Sequence, residues 1–322
     1  MKSFLAAPVL LLTAGIAMAQ ANANPTPTQT PNQGGQPQGQ NSAKPAAPSN
    51  PPAQTASSGR VLQAKSQDEM KAYQDATIKT NPAEMEAAAD AFAAKYPNSE
   101  MKGALYVRAM GLYAQANNSD KLIEAGRKAI AADPTNPVPL VQVGSVLAET
   151  TRETDLDREQ RLSEAAKDAQ AAIDNINTGL IVPPNAPPER VAATKATILT
   201  MAYDTLGMID LNRRDYAAAE QALLKAVDAS KASPEAVVFL RLSVAQDQLK
   251  RYPEALDSAN KAVQYAPPGT TAQSLAKQQQ DRVKKLMEAG PSATPSPSPA
   301  TAPPATKPAN PPANTPPPST PH

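Results

Sequence analysis

Residues 215–227 read DYAAAEQALLKAV, and residues 251–263 read RYPEALDSANKAV. Laid one over the other, Tyr216 falls on Tyr252, Ala219 on Ala255, Leu223 on Ala259, Ala226 on Ala262 and Val227 on Val263. The offset is a constant 36 residues, Tyr216 to Tyr252. Small and apolar residues spaced three and four apart mark one face of a helix. The same amphipathic helix is therefore written twice. A unit of this kind cannot bury its apolar face alone, and stacking copies builds a continuous core.

Working outward from these two copies, residues 60–289 are rich in Ala, Leu, Val, Lys, Glu and Gln, with few glycines. These are helix formers, and no sustained two-residue alternation of β-branched side chains suggests a sheet. Start signals recur. Ser66-Gln67-Asp68-Glu69 is a capping box, with the serine oxygen taking an early N–H and the glutamate reaching back to the cap. Asn81-Pro82-Ala83-Glu84 places Asn at the cap and Pro where its missing N–H costs nothing, and Ser233-Pro234-Glu235 repeats the arrangement. Pro97, Pro134 and Pro267 follow runs of helix formers as stop signals. The reading is five helix pairs: 66–79 with 82–95, 100–116 with 119–131, 137–150 with 158–177, 188–212 with 215–230, and 234–249 with 252–264. A last helix covers 270–288. Short loops inside most pairs make the partners antiparallel.

With these pairs laid out, the chain resembles the tetratricopeptide repeat family. Leu206-Gly207, Tyr216, Ala219, Leu223 and Ala226 carry the likeness in the fourth pair. Leu242-Ser243, Tyr252, Ala255, Ala259, Ala262 and Pro267 carry it in the fifth. The second pair matches through Ala109-Met110, Tyr113, Leu122, Gly126, Ala129 and Pro134, and the third through Val143-Gly144, Ala165, Ala169 and Ala172. The offset exceeds the family's 34 residues, ETTRETDLDREQ lengthens the turn of the third pair, and VPPNAPPER at 182–190 is a long connector. The resemblance implies an all-α, right-handed α-solenoid of about five antiparallel pairs with a C-terminal capping helix. Tyr216 and Tyr252 are expected to wedge between successive pairs.

The resemblance also implies that the first helix of each pair lines a concave groove for protein or peptide segments. Carried over by position, the groove set is Arg108, Gly111 and Gln115 in the second pair, and Val138, Val141, Gln142, Ser145 and Glu149 in the third. It continues with Met201, Asp204, Thr205, Met208 and Asn212 in the fourth, and Val237, Arg241, Val244 and Gln248 in the fifth. This mixture lacks the clustered Lys and Arg that would clamp a terminal carboxylate.

Composition narrows the function further. Thirty-one basic and 30 acidic residues leave a net charge of +1, so no strong field favours nucleic acid. Aromatics are 3% with no Trp, too few for a base-stacking platform. With no Cys and His322 the one histidine, a Ser–His or Cys–His pair and an ordinary zinc site have no members. The acids of ETDLDREQ and DEMKAYQD lie beside Lys or Arg at helical spacing and read as solvated faces. No catalytic residue, metal or cofactor is expected.

The ends of the chain differ from its middle. MKSFLAAPVLLLTAGIAMAQA has the charged start, apolar run and small-residue cleavage site of a secretory signal over residues 1–19. Residues 20–59 and 290–322 are nearly uncharged and rich in Pro, Gln, Asn and Ser, a composition expected to stay disordered. The expectation is an exported protein, periplasmic or extracellular, with no stable membrane insertion after cleavage. It would serve as a non-catalytic scaffold or adaptor for a protein or peptide partner in the cell envelope, binding no nucleic acid, with self-association permitted. The alternatives are an enzyme with an unrecognised carboxylate-based site, which predicts a deep pocket around a perturbed carboxylate, and a passive envelope spacer.

Overall fold

The computed structural model describes residues 59–289. The expected signal at 1–19, the tail beyond 290 and nearly all of the 20–59 linker lie outside the described residues.

Eleven helices form among the described residues: α1 (Gln67–Thr77), α2 (Pro82–Lys95), α3 (Met101–Gln115), α4 (Ser119–Ala132), α5 (Pro137–Thr150), α6 (Arg158–Asp174), α7 (Pro188–Arg213), α8 (Tyr216–Ala229), α9 (Ala236–Gln248), α10 (Tyr252–Tyr265) and α11 (Thr271–Glu288). Local chemistry sets most of their starts. The Ser66 hydroxyl accepts from Glu69 N at 3.1 Å. Glu69 Oε2 reaches back to Lys65 N at 2.5 Å, one residue before the cap itself, and closes a variant of the capping box. Asn81 Oδ1 accepts from Ala83 N and Glu84 N, with Pro82 at the first helical position. Asn118, Asn136, Asp215 and Thr270 cap α4, α5, α8 and α11 in the same way.

One start differs from the expectation. Ser233 does not cap α9; Glu235 stands at the cap in extended conformation (φ −108°, ψ 119°), with no side-chain cap bond. The Glu235 carboxylate is instead partly withdrawn from water, within electrostatic reach of Asp204 and Arg241.

Each odd-numbered helix packs against the even-numbered helix that follows it, and successive odd helices also touch one another from α1 to α11. This asymmetry bends the array so that the odd helices line the inner face, as in a tetratricopeptide-like solenoid. Helix α11 packs on α9 and α10 and closes the end of the stack.

Small residues let the backbones within and between pairs approach. A Cβ on Gly207 would stand 2.5 Å from Leu223 Cγ, and one on Gly144 would stand 2.9 Å from the Ala165 carbonyl oxygen. At the equivalent place in the fifth pair, the Ser243 hydroxyl donates to the Ala255 carbonyl at 2.7 Å. Ala219, Ala226, Ala255 and Ala262 are fully buried. Tyr216 and Tyr252 are only half-buried and stand outside the core, a correction to their expected role as wedges. They are the first residues of α8 and α10, where a side chain meets solvent on one side.

The connector between α6 and α7 is also built in. Gly179 lies against the α4–α5 loop, where a Cβ would fall 1.7 Å from the Thr135 carbonyl oxygen. Leu180 and Val182 are buried with Val191 and Ile198 of α7. The segment before α1 runs across to this connector. Arg60 N donates to Leu180 O at 2.7 Å and Val182 N donates to Arg60 O at 2.8 Å, forming an isolated parallel bridge. The Arg60 guanidinium pairs with Asp133, and Lys65 Nζ donates to Asn98 O at 2.8 Å. Residues 59–65 are thus a strap across three successive inter-pair loops.

Candidate functional site in the concave face

The inner helices bring four charged side chains from separate stretches of the chain into one electrostatic group. Arg241 of α9 pairs with Asp204 of α7, through Nη1 to Oδ2. The two side chains are 14% and 18% exposed, so the pair is largely withdrawn from water. Glu149, at the end of α5, and Glu235, at the start of α9, both feel Asp204 and Arg241. Three carboxylates therefore act on one guanidinium, and Asp204 is the one shown in contact with it.

Electrostatics follows from that count. Burial pushes the Glu149 carboxyl up to about 7; Arg241 opposes this, Asp204 adds to it, and the neighbouring Ser145 hydroxyl opposes it. Burial also raises Asp204, against the pull of its Arg241 partner. Glu235 is raised by burial first and by Asp204 second, with Arg241 opposing. In all three, burial is the first cause of the rise, because loss of water disfavours the charged carboxylate. Asp204 Oδ1 is buried and accepts no hydrogen bond, so one acceptor in the group is unmet.

Eight of the remaining residues of the expected groove set divide into three groups, and Val141, a ninth, is buried in the core. Arg108, Gln115 and Gln248 are exposed, and Gln142 is half-buried. Gly111 has open space above it, since a Cβ there would meet nothing within 4 Å. These positions offer surface to a partner. Thr205 and Met208 do not: Thr205 is buried with its hydroxyl donating to Met201 O at 2.8 Å, and Met208 belongs to the core. The helical face carrying them is turned farther toward neighbouring helices than the positional carry-over assumes. Asn212 sits in the last turn of α7, where its backbone carbonyl accepts from Arg158 Nη2 at 2.6 Å. There it lines a cleft with Glu153, Arg158, Glu159, Arg213 and Arg214.

A second cleft lies between α8 and α10, over Phe239 and Leu242. Both clefts are apart from the Glu149–Asp204–Arg241 group. The perturbed carboxylate that an enzyme would need is present in Glu149, but it is not accompanied by either cleft. Asp168 is a further carboxyl raised by burial, pushed to about 6 by burial and then by Glu164. It packs beside Gly144 at the α5–α6 crossing. Among the described residues no group of three acidic or histidine side chains could hold a metal ion, and no helix is long and apolar enough to cross a membrane.

Sequence reasoning placed Asp204, Arg241 and Glu149 on the groove as separate residues. Glu235 was assigned to a helix start, and its role in the group had no sequence signal beyond a charge next to a proline.

No family model matches the chain, and no curated protein is similar to it. Solved structures are similar at low identity. MamA protein shares 19% identity over 58% of this chain and 88% of that chain, with a TM-score of 0.37. A chain of the APC/C hetero-tetramer Cut9-Hcn1 shares 13% over 65% of this chain and 40% of that one, at 0.32. The P58(IPK) TPR domain shares 15% over 70% and 66%, at 0.25. At these scores the architecture rests on the helices described above.

Proposed function

We propose that this chain is an exported, non-catalytic scaffold or adaptor that binds a protein or peptide segment of the cell envelope along its concave face. The observation that carries the reading is the inner face itself. Successive odd helices line it, and it presents exposed amides at Gln115 of α3 and Gln248 of α9 as well as an ion pair, Asp204 with Arg241, held largely out of water. Preformed helical surfaces of this kind recognise extended or helical segments without rearranging. The secretory pattern of residues 1–19 supports export, and the Pro-rich composition of the tails supports a role in reach or local concentration.

The test is photocrosslinking in cells that export the protein. Arg241 is unsuitable as a probe position because its replacement would strip Asp204 of its partner. Photoreactive residues at Gln115 and Gln248 avoid this, with Gln221 of α8, exposed on an even-numbered helix, as the matched control. A discrete adduct from the groove positions but not from Gln221 is the expected result. Equal adducts from all three, or none with the helical fold intact, would overturn groove recognition in favour of the tails or a passive spacer.

A further inference from the structure

We propose that the cleft between α8 and α10 is a docking site for the chain's own Pro-rich C-terminal segment, residues 291–322, which lies extended over Phe239 with Lys307 beside Glu254. This goes beyond the concave-face reading and does not depend on it.

The cleft arises from the way the pairs stack. Helices α8 and α10 both pack on α9 and barely on each other, which leaves a gap of about 410 Å³ between them. Phe239 and Leu242 of α9 form its floor, with Leu224 of α8 and Pro253 of α10 in its walls. Leu224 is 48% exposed, an apolar side chain left in water at the edge of an apolar gap. The aromatic surface continues beyond Phe239, whose ring stacks on Tyr265 with 5.5 Å between centroids, and Tyr265 is exposed as well. Apolar grooves with aromatic rings suit polyproline segments, whose extended backbone is already low in entropy.

Charge and connectivity select the occupant. The charged side chains at the cleft all belong to α10. Asp257 and Lys261 pair with each other at 2.8 Å, and Lys261 Nζ also lies 5.9 Å over the Phe239 ring. Glu254 forms no ion pair among the described residues, so the cleft keeps one unbalanced negative charge. Residues 291–322 carry a single charged side chain, Lys307, within TAPPATKPANPP at 301–312. This segment follows α11, which itself packs on α9 and α10. Arg282 and Gln279 hold the second half of α11 beside Asp247, close to where the chain turns from α9 into α10. Lys307 stands about 18 residues beyond Ala289, a reach of about 55 Å at polyproline spacing. The stretch of α10 from Pro253 to Lys261 is only about 12 Å long, so length does not limit docking. A cleft of this size holds a free peptide weakly, but a tethered segment acts at an effective concentration of about a millimolar.

The test places a photoreactive residue at Ala305 of the full chain and maps its adducts by mass spectrometry, in an equal mixture of unlabelled and isotope-labelled protein. Adducts within one chain, joining position 305 to α8 or α10 at the cleft, are the expected result. Leu224→Glu sets a charge on the apolar wall and should lower that yield at least about fivefold. Because Leu224 is exposed, helical circular dichroism should stay unchanged. Lys307→Ala should lower the yield about two- to fivefold in low salt, as a rim ion pair does. Adducts joining labelled to unlabelled chains would overturn the proposal in favour of a second copy. Adducts scattered over the helices, no adduct, or an unchanged low-salt yield in either variant would overturn it as well. Recognition along the concave face is read separately, from the probes at Gln115 and Gln248, so the two readings fail independently.

Discussion

At the scale of single residues, the decisive positions are those where an atom is missing or a charge is withdrawn. Gly179 has no room for a Cβ, because the Thr135 carbonyl oxygen would be 1.7 Å away. Since that neighbour is backbone, Gly179→Ala has to displace the α4–α5 loop. The expected cost is about 3 kcal/mol or more, read from urea unfolding of the purified chain. An unchanged midpoint would mean that the connector does not pack here. Glu149 makes a second prediction at this scale. Its folded-state value of about 7 stands above the ordinary 4.5, so the folded state binds the proton more tightly than the unfolded chain does. Its stabilising contribution is complete below 4.5 and is lost as pH rises towards and through 7. Asp168, raised to about 6, acts with the same sign over a lower window. Wild-type Tm should therefore fall between about pH 5 and 7.5, and Glu149→Gln should flatten the upper part of that decline. A parallel decline in the variant would show that Glu149 is not the titrating group.

At the scale of elements, the caps and small-residue crossings are local, whereas the strap is not. Helix bounds follow the sequence closely because Asn-Pro, Ser-x-x-Glu and the proline stops act within a few residues. Even so, α9 starts later than its Ser-Pro-Glu signal indicates, since Glu235 remains extended. The strap at 59–65 straddles the expected start of the repeat domain and precedes its first helix, yet its backbone pairs with residues some 120 positions away, at Leu180 and Val182. Arg60→Ala removes the partner of Asp133, whose side chain is only 9% exposed. Asp133 would keep only its bonds to Thr135. A loss of about 1–3 kcal/mol is expected, with faster hydrogen exchange at the Val182 amide, which donates to Arg60 O. Slow exchange at Val182 in the variant would show that the strap holds without its ion pair.

At the scale of the whole molecule, each pair contacts only its neighbours, so stability propagates along the array. Helix α11 covers α9 and α10 at one end. Polar contacts reinforce it: Asp247, with its side chain 1% exposed, forms an ion pair with Arg282 Nη1 at 3.0 Å and accepts from Gln279 Nε2 at 3.2 Å. Ending the chain at residue 269 would leave Asp247 without these partners and expose the apolar faces of α9 and α10. Hydrogen exchange should then accelerate first in those two helices while α3 and α4 keep their protection. Uniform acceleration across all helices would mean that the array unfolds as one cooperative block.

The sequence by itself determined the class, the pairing and nearly all helix bounds, because amphipathic spacing, caps and close-packing alanines act within one pair or between adjacent ones. It also placed Asp204, Arg241 and Glu149 on the inner helices. Tertiary structure decided what required distances across the chain. It turned Thr205 and Met208 into the packed interior, set Asn212 in a cleft with Arg158 and Arg213, and joined Glu235 to a group assembled from three helices. It also laid residues 59–65 over loops far along the chain. A helical period fixes which face a residue occupies, but the curvature and stagger of stacked pairs fix which charges meet. Those follow from the summed packing of side chains that no short stretch of sequence contains.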